Sequence, residues 1–281
     1  MTPIQFVSKY PHLLVKHGSQ RAVAKATGIP RTTIQSWLSN ENSIRYSSKE
    51  PATAIILSVP KRDTRRVIFT SAQDGTDVHE PFLNNLKAYA DHLGAKLIIA
   101  GFTYNKRLYE DNRTESALFD PRVEPYLCNR RMEVGPNLSF CGEMNTLPTA
   151  VSPLTGFETY TQGRWGIFPH AKVQLVSVPT QKQRMGKQIM TTGAVTVPNY
   201  VQRRAGILAH FHHVYGAILV EIDRDGDQFC RHLLGDKEDG SFQDLTTFVR
   251  GGVVTDGHRV EAINWGDIHV ESLNKVVANA T

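Results

Sequence analysis

Three groups of side chains in this sequence have types and spacing that could do chemistry. Near the far end, the apolar run 260–265 leads into Gly266-Asp267-Ile268-His269. Alternate residues of an extended segment face the same way, so Asp267 and His269 could offer a carboxylate and an imidazole to one divalent metal, Mn, Zn or Fe. Gly266 would let the backbone come close to the ion. The same pair also suits a plain turn-stabilising contact. The second group is His210-Phe211-His212-His213, just before the apolar run 216–222. In an extended chain His210 and His212 share a face, and His210, His212 and His213 become candidates for a catalytic contact with a phosphate or leaving group. The alternative is one buried, hydrogen-bonded histidine and two exposed ones. The third group is the loop 70–79, TSAQDGTDVH, which joins a strand's carboxyl end to a helix N-terminus. Free N–H groups and the helix dipole favour anions at such a junction. It has neither the Walker lysine nor the spaced glycines of a nucleotide fingerprint, and no nucleophile elbow occurs in the chain. Thr191-Thr192-Gly193-Ala194 is a similar loop of small hydroxyl residues, equally readable as a turn.

The elements that must carry these groups begin with a head. Residues 20–38, QRAVAKATGIPRTTIQSWL, have the spacing of a helix-turn-helix. Ala24 stands where two helices touch, Gly28 where the chain turns with positive φ, and Ile29, Ile34 and Trp37 where the second helix locks onto the first. An ordinary helical hairpin does not require small, glycine, aliphatic, aliphatic and aromatic residues in that register. The partner this predicts is duplex DNA. The recognition helix would run over 30–38, with Arg31, Thr32, Thr33 and Gln35 facing the major groove and Lys25 against the phosphates.

Charge agrees. The 281 residues carry 32 Lys and Arg against 27 Asp and Glu, a net charge of +5. Residues 1–50 hold Lys9, Lys16, Arg21, Lys25, Arg31, Arg45 and Lys49 against Glu41 and Glu50, an excess equal to that of the whole chain. A polyanion should therefore engage the head, while the remainder is balanced overall. Residues 1–45 read as the head and 46–64 as a linker rich in Ser, Asn, Lys and Pro. The body, 65–281, reads as α/β with a mixed sheet. A strand at 67–70, a helix over 80–93 with Phe82, Leu83, Leu86, Ala90 and Leu93 on one face, a Gly94 cap and a strand at 95–102 make one parallel crossover. Residues 104–153 show no clear periodicity. Runs of period two follow at 173–178, 194–197, 216–222, 228–233 and 260–265, with a hairpin turn at 223–227. The fold class expected is thus α/β, a mixed-sheet domain behind a small all-α helix-turn-helix domain.

Cys128, Cys141 and Cys230 are odd in number and widely spaced, which favours reduced thiols over a disulfide framework or zinc site. The N-terminus has the spacing of an amphipathic helix and no signal-peptide pattern. A cytoplasmic location with no membrane partner is the expectation.

TSAQDGTDVHEPFLNNLKAYADHLGAKLII, TTGAVTVPNY, HFHHVYGA and NWGDIHVE together resemble a family of bacteriophage proteins. Longer members of that family are similar to calcineurin-like metallophosphoesterases and are sometimes labelled DNA-transfer proteins. The likeness covers about residues 65–275 and implies an α/β body with Asp267 and His269 as the first metal-binding pair. A full member continues with a second Asp, an Asn-His pair and further histidines, whereas this sequence ends at Thr281. Unless His213, Asp236 or Asp239 converge on Asp267, the expectation is an incomplete catalyst. The reading that follows is a phage DNA-binding protein with a metallophosphoesterase- or nuclease-related body. Its rivals are a non-catalytic regulator or recruitment factor and a recombinase or transposase accessory protein. A dimer is compatible with the head.

Overall fold

The computed structural model describes residues 64–104, 118–181 and 186–260. The head, the linker, and the expected strand 260–265 beyond Val260 with its Asp267 and His269, lie outside the described residues.

The body is built around β1 (Arg65–Gln73), a strand with apolar residues on both faces. It pairs in parallel with β2 (Lys96–Phe102) after the crossover through helix α1 (Glu80–Leu93), as the hydrophobic spacing predicts. His79 caps the helix start, Pro81 sits in its first turn, and Gly94 ends it with φ 60° while its N–H bonds back to the carbonyls of Ala90 and Asp91. On its other side β1 pairs antiparallel with β8 (Gly216–Ile222), which forms a hairpin with β9 (Gln228–Leu234) across the turn foreseen at 223–227. The order β2-β1-β8-β9 is therefore mixed.

Five further strands, β3 (Arg131–Gly135), β4 (Leu138–Cys141), β5 (Trp165–Phe168), β6 (Leu175–Val178) and β7 (Lys187–Thr191), form a second mixed sheet in the order β3-β4-β5-β7-β6. A third, antiparallel sheet joins β10 (Phe242–Asp244), β11 (Thr247–Arg250) and β12 (Val253–Thr255). A short helix, α2 (Arg204–Phe211), precedes β8. Where the sequence shows no periodicity, between 104 and 153, the structure places the β3–β4 hairpin. Residues 194–197, expected as a strand, make only isolated bridges.

Strand alternation sorts the core into layers. Ile68, Ile99, Ala217 and Leu219 face α1, packing with Phe82, Leu83, Leu86 and Phe242. Their neighbours Val67, Phe69, Ile98, Ala100, Ile218 and Val220 face the second sheet and pack with Met132, Phe140, Ile167 and Met190. The first sheet is thus covered on both faces, which is why β1 and β8 read as continuous apolar runs. Asn85 ties the helix layer to the small sheet: its Nδ2 donates to the Gly240 carbonyl at 2.8 Å and its Oδ1 accepts from the Gly252 N–H at 2.8 Å.

Candidate functional site

At the carboxyl end of β1 the loop 70–79, the segment after Thr191 and the entry to β8 that follows the histidine cluster come together. Ser71 bridges Ala194, Ala194 bridges Tyr215, Val78 bridges Thr196 and His170 bridges Gly193. The segment 192–200 therefore lies between the β1–α1 loop and the entry to β8. Its central feature is a backbone crossing. Gly193 has φ +80°, and a Cβ there would stand 2.5 Å from the Cα of Gly216. Two chains can touch this closely only where both lack side chains, which accounts for the glycines of TTGA and VYGA.

The polar groups around the crossing are spent on the main chain. Thr70 Oγ1 donates to the Gly216 carbonyl and Ser71 Oγ to the Gly193 carbonyl, each at 2.6 Å. The Gln73 N–H donates to Thr196 Oγ1, and its Nε2 donates to the Asn199 carbonyl. The N–H groups of Asp74, Gly75 and His79 reach the carbonyls of Phe102, Leu118 and Val195. The Val78 N–H donates to Asp120, whose carboxyl is held well below the usual range chiefly by its hydrogen bond from Arg122. Of the amides in the expected anion cradle of loop 70–79, those of Gln73, Asp74, Gly75, Val78 and His79 are thus taken by the protein's own oxygens and fold the loop.

Three imidazoles line this region. His79 Nδ1 accepts from the Phe82 N–H at 3.3 Å, and its ring stacks on Tyr215 with centroids 4.0 Å apart. Burial lowers its pKa, against the pull of the main chain of Lys237 and the charge of Asp236. His170 accepts the Lys172 N–H on Nδ1 at 2.9 Å and places Nε2 3.2 Å from the Leu147 carbonyl; burial pushes its pKa down to about 4. His213 Nδ1 lies 2.7 Å from the Tyr200 hydroxyl, and burial pushes it also down to about 4, the charges of His210, His170 and His79 adding to the effect and the Thr196 main chain opposing it. Its Nε2 is buried without a hydrogen-bond partner. At neutral pH these two rings carry no charge.

The sequence candidates are thus separated. His213 is buried, His212 is half-buried at the end of α2, and His210 is exposed on that helix. The pairing of His210 and His212 on one extended face is corrected: the segment is helical, and residues two apart on a helix point about 200° apart. Asp236 accepts the Glu238 N–H at 2.8 Å, and Asp239 accepts the Ser241 N–H while pairing with Arg250 at 2.7 Å, so both shape the turn after β9. Among the described residues no three His, Cys, Asp or Glu side chains gather as metal ligands would, and the buried histidines already use a ring nitrogen each within the protein. This set does not fit a metal. Asp267, His269, Lys25, Arg31, Thr32, Thr33 and Gln35 lie outside the described residues.

Tyr200, Tyr215 and Asp120 carry as much of this geometry as the histidines do. Both tyrosines stand inside motifs that the sequence singles out, PNY and VYGA, but only the fold shows which ring each one meets. His170 and Asp120 have no local signal.

An α/β body of two mixed sheets, with a histidine- and tyrosine-lined crossing at the edge of its central strand, is the class that fold and site define. No protein-family model matches the chain. It is similar to Protein A1 of Escherichia phage T5, with 35% identity over 250 residues. The match takes in 85% of this chain but 45% of that protein, so the chain spans less than half the length of this relative. Among solved structures, Vps29 of Chaetomium thermophilum aligns over 60% of this chain and 97% of its own, with 10% identity and a TM-score of 0.28. A likeness that slight carries no argument about fold or activity.

Proposed function

We propose that this is a phage-type DNA-binding protein, in which a helix-turn-helix head over residues 1–45 takes duplex DNA and the α/β body is related to the leading part of a phage phosphoesterase or nuclease. The observation that carries the reading is the head sequence. The register of Ala24, Gly28, Ile29, Ile34 and Trp37 coincides with a net charge of +5 within residues 1–50, equal to that of the whole chain. Similarity to a phage protein over 250 residues supports the setting. Lys25 would contact phosphate, and Arg31, Thr32, Thr33 and Gln35 would read base edges. Duplex binding measured on the full chain and on residues 50–281 tests this: the account expects binding that weakens steeply with salt and disappears with the head, and equal affinity of the two would overturn it.

His79, His170 and His213 each spend a ring nitrogen within the protein, which favours a body that binds and positions and does not itself hydrolyse. His213 would serve the crossing, and His210 and His212 would serve a contact surface. Asp267 and His269 together would give a divalent metal two protein ligands, leaving most coordination positions to water. Hydrolysis of a chromogenic phosphodiester with Mn, using Asp267→Ala as the control, checks this part. The expected result is no rate above background; a rate abolished by Asp267→Ala would restore the enzyme reading.

A further inference from the structure

Helix α2 carries an apolar stripe that the described residues leave largely uncovered. Its single buried residue is Gly206, which lies so close to the Val201 carbonyl that no Cβ would fit between them. The helix is seated on that glycine. Residues 204, 207, 208 and 211 follow i, i+3, i+4, i+7 spacing and point to roughly the opposite side. Three of them, Ile207, Leu208 and Phe211, are large and apolar, exposed to 67%, 42% and 77% of their surface, with Val201 at 44% beside them. Between the helix and residues 198–202 runs a groove of about 330 Å³, with Pro198, Val201 and Ile207 among its walls. Burying such a stripe against one face is what amphipathic helices do to each other.

Charge specifies the occupant. From Thr159 to Val220 the sequence contains no Asp or Glu and has seven Lys and Arg, whereas acids resume at Glu221 and cluster in the turns after it. Arg203 and Arg204 stand at the head of α2, where the helix dipole adds to their positive field, and His210 and His212 flank its end. A DNA backbone would answer the arginines but leave three large apolar side chains wet. We infer that α2 and its groove are a docking surface for an acidic amphipathic helix of a protein partner, its apolar face on Ile207, Leu208 and Phe211 and its carboxylates against Arg203 and Arg204.

The test uses the full chain and three probes: a labelled synthetic helix with leucines at i, i+3, i+4 and i+7 and glutamates on its flanks, the same helix with lysine for glutamate, and phosphatidylglycerol vesicles. Fluorescence anisotropy should show the acidic peptide preferred over the basic one by roughly tenfold or more. Ile207→Ser with Phe211→Ser should abolish that binding and leave the melting temperature unchanged, since both side chains are already in water. Arg203→Glu with Arg204→Glu keeps the apolar stripe and should reverse the peptide preference. Duplex DNA binding should survive both double variants, which separates this surface from the head. No peptide binding, equal affinity for the two peptides, retained binding in the serine variant, or vesicle binding in place of peptide binding would each overturn the inference.

Discussion

At the scale of single residues, the body's most consequential histidines hold it together by staying neutral. His170 and His213 are buried and have pKa values near 4, whereas an unfolded chain titrates them near 6.5. Between those values the unfolded state binds more protons than the folded one, so each histidine contributes stability that is complete above pH 6.5 and is lost as pH falls toward 4. A shift of this size corresponds to about 3 kcal/mol per ring as an upper limit. Thermal melting from pH 7.5 to 4.5 should therefore show a decline that begins near 6.5. His213→Gln, which keeps a partner for Tyr200, should make the decline shallower by about half. A melting temperature that stays level down to pH 5 would contradict this. Gly193 permits a sharper prediction. With φ +80° and Gly216 2.5 Å from any Cβ, Gly193→Val should cost about 3 kcal/mol or more, read by denaturant unfolding. A loss under about 1 kcal/mol would show that the crossing can open.

At the scale of elements, the helix α1 and the strands around it were legible because their signals are local. The apolar spacing over 80–93, the Gly94 cap and the hairpin turn at 223–227 each fix an element from a dozen residues. The β3–β4 hairpin was not legible: its residues take their faces from a packed second sheet, and alternation is weak when Leu138, Ser139, Phe140 and Cys141 are all buried. The histidines at 210 and 212 would share a face only in an extended segment, and although they stand just before a strand, helix α2 ends among them. Of the candidate site, the motifs themselves were visible and their meeting was not, since Ser71, Gly193 and Gly216 are far apart in the chain and are brought together by sheet pairing. Asn85 is the cleanest test of how the layers are joined. Its side chain bonds to both Gly240 and Gly252, so Asn85→Ala leaves the carbonyl of buried Gly240 without this partner, returns the N–H of exposed Gly252 to water, and should cost about 1–3 kcal/mol by urea unfolding. A change below about 0.5 kcal/mol would mean that the small sheet is held by its apolar contacts alone.

At the scale of the whole molecule, a basic N-terminal sequence precedes a body whose buried polar groups are mostly engaged in holding its own fold. The cationic excess of the first fifty residues and the acid-free stretch before Glu221 are two separate positive regions, assigned to two different partners. The central claim is that the head reads duplex DNA. Its most direct measurement is the affinity of the full chain for its selected site and for random duplex across a salt series, with Lys25→Ala, Arg31→Ala and Gln35→Ala alongside the parent chain. Lys25→Ala should weaken both duplexes alike and flatten the salt dependence, whereas Arg31→Ala and Gln35→Ala should each cost about 1–3 kcal/mol of discrimination between them. Equal weakening of specific and random DNA by all three variants, or no duplex binding by the parent chain at low salt, would contradict the account.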